Sequence, residues 1–116
     1  MHPEPLRDRL RAALPAALKN RDRATAATLR GTLAAIDNAE AVDESTARAG
    51  AIEASPVGLG VAEAARRELT EADVAAIVQA EIDEQRHAAE TYERSGHSDK
   101  AADLRAAADM LAGFLK

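Results

Sequence analysis

The chain contains no cysteine and no tryptophan, a single tyrosine, a single phenylalanine, and nowhere a long uninterrupted apolar run. Without cysteine there is no disulfide framework, no thiolate metal site and no cysteine nucleophile. No stretch approaches the roughly 20 apolar residues that cross a bilayer, and the opening MHPEPLRDRL lacks the apolar core of a secretory signal. The expectation is a soluble, cytoplasmic protein with no membrane partner. Aromatics make up 2% of the residues, and the β-branched and aromatic runs that announce strands are missing.

What is present is alanine, which supplies most of the 47% hydrophobic fraction and has the best intrinsic helix propensity. The reading is all-α. A length of 116 residues gives one domain with a single modest core. Alanine fills little volume, so the helices should approach closely, and self-association or a partner would add stability. The net charge of −5 argues against a protein that grips nucleic acid over its whole surface. The charge is uneven, however. Residues 1–30 hold seven basic residues against three acids, which points either to a local anion-binding face or to two differently solvated surfaces.

Four helices are expected. The first spans about Pro5 to Asn20, with Leu6, Leu10, Leu14 and Leu18 on one slowly drifting stripe. Pro15 should kink it or delay its start, because proline removes an amide from the ladder. Asp22 is placed to cap the second helix, expected over about Arg23 to Ala41 with Ala26, Leu29, Leu33, Ile36 and Glu40 on its inner stripe. Residues 43–68, which carry Gly50, Pro56, Gly58 and Gly60, read as a long, partly ordered excursion with a short helical turn near Ala47 to Ala54. Their SPVGLG stretch lacks the spacing and the Lys-Ser/Thr ending of a phosphate-cradling loop.

Thr70 with Asp73 is a capping-box variant opening a third helix, Glu71 to about Ser95, closed by Gly96 in the left-handed region. Ser98 is expected to cap a fourth, Asp99 to about Phe114, built on Ala101, Leu104, Ala108, Leu111 and Leu115. The architecture is a small antiparallel helical bundle in two pairs.

Within the third helix, EQRH at 84–87 reads Glu-x-x-His, half of the signature of di-metal bundles. On a wheel with Val74 at zero, Ile77, Val78, Ala88 and Tyr92 define a buried face, while Glu84 and His87 fall at about 280° and 220°. Those ligands face outward, and no helix carries a second Glu-x-x-His, so the reading is surface rather than metal; no cofactor is implied. The same wheel sets Glu81 and Gln85 within about 20° of the centre of that face, with Arg86 at its border. Buried polar groups need partners, and Glu40 is a candidate partner for Arg86 or Arg30. Glu40, Glu81, Gln85 and Arg86 read either as a satisfied polar layer that fixes helix register or as a ligand or subunit interface. No serine has a histidine placed to activate it, so the residues name no reaction.

The strings LKNRDRATAATLRGTLAAIDNAE and LTEADVAAIVQAEIDEQRHAAETYERSGHSDKAADL resemble the YqeY-like family, helical proteins similar to the C-terminal tail region of the GatB subunit of tRNA-dependent amidotransferases. The resemblance rests on Lys19, Asp22, Arg23, Leu29, Arg30, Ala34, Ala35, Ile36, Asn38 and Glu40, and on Leu69, Thr70, Val74, Gln85, Arg86, Tyr92, Gly96, Asp99 and Ala101. It covers most of the chain outside 43–68. Longer members continue past the position of Lys116 into a further small helical domain, and Asp37 stands where a basic residue is usual.

The resemblance implies a non-catalytic helical module, with a carbon-nitrogen ligase label that passes to free-standing members through the shared domain. It also implies a tRNA or translation-associated partner. Lys19, Arg21, Arg23 and Arg30 are then the phosphate-contacting candidates, since phosphate affinity comes from Lys and Arg charge. The alternative is a protein-interaction or self-associating scaffold that binds no nucleic acid.

Overall fold

A computed structural model describes the backbone of residues 4–54 and 68–116 and the side chains of residues 4–41 and 68–116. Four helices and no strand occur among the described residues: α1 Leu6–Lys19, α2 Arg23–Ala54, α3 Glu71–Arg94 and α4 Ser98–Phe114. They form two antiparallel hairpins, α1–α2 and α3–α4, each pair in extensive contact and the two hairpins packed against each other. This is the expected all-α bundle.

Both hairpin turns use the same backbone device. At the first, Asp22 N–H donates to the Ala17 carbonyl (2.9 Å) and Arg21 N–H to that of Leu18 (3.1 Å). At the second, His97 N–H donates to Tyr92 (2.8 Å) and Gly96 N–H to Glu93 (3.2 Å). Each is a Schellman arrangement, which needs a left-handed residue just past the helix end. Gly96 supplies it at φ 83° and Arg21 at φ 57°. The helix starts also follow their caps. The Thr25 amide donates to Asp22 Oδ1 at 3.1 Å, and Thr70 and Asp73 exchange bonds of 2.9 and 3.0 Å in a complete capping box.

The core joins Leu6, Leu10 and Ala17 of α1 to Ala26, Leu29 and Ile36 of α2, Val74, Val78 and Ile82 of α3, and Ala108 and Leu111 of α4. Each fully buried Leu or Ile contributes roughly 2 kcal/mol against an extended chain, an upper bound. Thr32 is the buried polar residue among them, and its hydroxyl donates to the Thr28 carbonyl at 2.9 Å, which leaves no unmet group.

One end of the bundle is held by polar contacts between elements. Leu6 N–H donates to Glu71 Oε2 (2.9 Å), Arg9 Nη1 donates to the Phe114 carbonyl (3.0 Å), and Arg7 bonds Glu40 (3.2 Å) and Asp37. At the other end every residue from Thr91 to Lys100 is exposed. α3 has 24 residues and α1 has 14, or about 36 Å against 21 Å at 1.5 Å per residue, so the α3–α4 tip reaches past the α1–α2 turn.

Several expectations are corrected. α2 does not stop near Ala41 but continues to Ala54. The excursion therefore does not begin at 43, and SPVGLG lies outside the described residues. α1 runs through Pro15 without a break, because Pro15 and Arg11 lie on its exposed side, where water reaches the carbonyl that proline leaves unbonded. Leu18 is 47% exposed, since a four-residue repeat drifts by about 40° per step, so that Ala17 lies nearer to Leu6. Ser98 is the first residue of α4 rather than its cap, and its hydroxyl donates to Glu93 Oε2 (3.0 Å).

Candidate binding surface

The buried stripe of α3 is Val74, Val78, Ile82 and Ala89, centred about 45° from Val74 on the wheel. Ile82 belongs to this stripe, whereas Tyr92, expected on the buried face, is exposed. Glu81, about 65° from that centre, sits half-buried at the border of the stripe, and Gln85, about 25° from it, is half-buried as well. Glu84 and His87 are exposed, as expected. No group of three or more histidine, aspartate or glutamate side chains able to hold a metal ion occurs among the described residues.

The four polar residues proposed as a layer do not form one. Glu40 pairs with Arg7, not with Arg86 or Arg30. Arg86 reaches Asp109 of α4 at 3.6 Å in an exposed pair. Glu81 and Gln85 make no hydrogen bond among the described residues. Partial burial, and then the nearby Glu84 carboxylate, push the Glu81 carboxyl above its ordinary range. The Arg7 guanidinium, bonded first to Glu40 and then to Asp37, holds its proton more tightly than usual, although its Nε is buried without a partner. Arg7 is thus structural, a role the sequence signalled only by its place beside Leu6 on the first stripe.

The described cations divide into two sets. Arg7, Arg11, Arg86 and Arg105 are ion-paired. Arg9 and Arg94 donate to a carbonyl and a hydroxyl, and Lys116 is also engaged. Lys19, Arg21, Arg23, Arg30 and Lys100 are exposed and engage no acceptor among the described residues. The first four are the residues singled out from the sequence.

Geometry groups these free cations. Lys19, Arg21 and Arg23 surround the α1–α2 turn, where the Schellman geometry reverses the chain within three residues. Arg30 lies two turns along α2 from Arg23, within about 20° on the same face. The one carboxylate in the turn, Asp22, is engaged by the Thr25 hydroxyl (2.7 Å) and amide, which hold it below the usual carboxylate range. Exposed Leu18 lies beside Arg21 and Arg23 around a shallow depression.

Next to this turn is an open groove of about 370 Å³. The first turns of α2 form one wall through Ala24, Thr25 and Thr28, and α4 forms the other through Lys100, Asp103, Leu104 and Met110, with Gln85 of α3 between them. Sequence reasoning singled out Gln85 but missed Lys100 and Asp103, whose i, i+3 spacing with Leu104 and Met110 on one side of α4 was the available signal. Compared with protein-family models, with curated proteins and with solved structures, the chain matches none.

Proposed function

We propose that this chain is a non-catalytic helical binding module of the YqeY-like kind whose partner is RNA, with tRNA the species that the resemblance implies. The observation that supports this most is the sorting of the cations. Among the described residues every other cation except Lys100 is engaged within the chain, while Lys19, Arg21 and Arg23 stand free around one turn with Arg30 on the same face of α2. An ion-paired arginine has to lose its partner before it neutralises a phosphate; a free one releases counterions directly. A chain of net charge −5 then binds through one positive corner rather than over its whole surface.

A protein-interaction or self-associating scaffold is the second reading. Leu18, at 47% exposure, favours it, because an apolar side chain among cations suits an acidic, partly apolar surface on another chain. Filter binding of a tRNA at low salt, run beside sedimentation at several protein concentrations, separates the two. Salt-sensitive retention of tRNA by a monomer supports the first reading. Absence of retention at low salt, together with concentration-dependent assembly, refutes it in favour of the second.

A further inference from the structure

The groove beside the cationic turn has a composition that suits one kind of occupant. Its wall begins at Ala24, the residue after Arg23, so a strand whose phosphate rests on Arg23 arrives at the groove mouth. The opposite rim carries Lys100, the fifth free cation. Leu104 and Met110 give the lining its apolar part, Gln85, which makes no hydrogen bond among the described residues, adds an amide, and Asp103 adds a carboxylate in no ion pair. At about 370 Å³ the groove falls in the lower part of the range of small-molecule sites.

We propose that this groove seats one unstacked ribonucleotide of the RNA carried by the cationic turn, an inference that rests on the RNA-binding reading above. Each side chain has a distinct part. The Gln85 amide presents a donor and an acceptor side by side, the pair that reads a base edge. Asp103 accepts from a ribose hydroxyl, as acidic residues do in dinucleotide sites. Lys100 and Arg23 take the flanking phosphates from opposite rims. Neither Tyr92 nor Phe114 lines the groove, so the base is held by apolar burial rather than by an aromatic stack. RNA presents such unstacked bases in loops and at ends, which selects single-stranded segments over duplex.

The test uses the full chain, with adenosine 5′-monophosphate, its 2′-deoxy counterpart and a short single-stranded RNA as probes. Amide spectra should shift at the Gln85 side chain and at Lys100 on adding the ribonucleotide. Ala106→Leu, on the exposed groove wall of α4, should abolish those shifts and weaken the short RNA about tenfold by displacing apolar contact. Its melting temperature should hold, since leucine is a good helix former. The deoxynucleotide and the Asp103→Asn variant should each lose several-fold in affinity. RNA binding that depends on Lys19 and Arg23 but ignores Ala106→Leu, with no shift at Gln85, overturns the groove while the RNA reading stands. No RNA binding at low salt overturns both. A change of sedimentation on Ala106→Leu would instead make the groove a contact between copies, and that also refutes the proposal.

Discussion

Arg21 occupies a backbone conformation that its side chain disfavours, and replacing it separates fold from function. At φ 57° the residue sits in the left-handed region, which costs an L-residue with a Cβ roughly 1–2 kcal/mol. Glycine removes that cost but enlarges the unfolded ensemble by roughly 0.4–1 kcal/mol. Arg21→Gly should therefore stabilise the chain by about 0.5–1 kcal/mol. For 116 residues, an unfolding entropy near 2.1 cal/mol/K per residue converts this to a rise in Tm of about 2–4 °C. Arg21→Ala keeps the Cβ and the strain, so its Tm should stay within about 2 °C of the parent.

Both substitutions delete the same free cation, so they should weaken RNA binding equally while differing in stability. Differential scanning calorimetry with paired binding titrations reads the two effects. A lower Tm for Arg21→Gly than for Arg21→Ala would refute the Schellman account of the α1–α2 turn.

The second turn offers the reverse substitution. Gly96→Ala meets no atom within 4 Å at φ 83°, so its cost is backbone alone, about 1 kcal/mol in chemical denaturation. Thr70→Ala opens the capping box and should cost about 1 kcal/mol, with loss of amide-exchange protection concentrated in the first turn of α3. Glu81→Gln should raise Tm at neutral pH. The Glu81 carboxyl is pushed upward on folding, so its ionised form opposes the folded state above the folded value, and no penalty exists below the unfolded one. The gain from the variant should thus fade as pH drops through that window; a gain constant with pH would contradict the assignment.

The four helices were legible because alanine content, Thr70 with Asp73, Asp22 and Gly96 each act within a few residues of where they stand. α2 ran past its expected end because nothing between Ala41 and Pro56 forbids a helix; weak periodicity records burial, not backbone conformation. The free cations could be named in advance, but their freedom could not. Whether Arg7 or Arg30 is paired depends on which helix lies across from it, and only the bundle brings Arg7 to Glu40 and Arg86 to Asp109. The polar layer failed for a related reason. Gln85 stays within about 25° of the centre of the buried stripe, yet it is half-buried because it lines the groove beside α2 and α4, which depends on how the helices pack and not on the wheel.

The claim at the centre of this account is that the free cations at the α1–α2 turn, and not the paired ones, bind RNA. The salt dependence of tRNA affinity tests it most directly, comparing the parent with Lys19→Ala/Arg23→Ala and with the charge-matched Arg86→Ala/Arg105→Ala. Each phosphate contact contributes about 0.7–0.9 to the slope of log affinity against log salt. The first double variant should flatten the slope by about 1.5, and the second should leave it unchanged. Equal flattening by both, or tRNA affinity absent at low salt, would contradict the account.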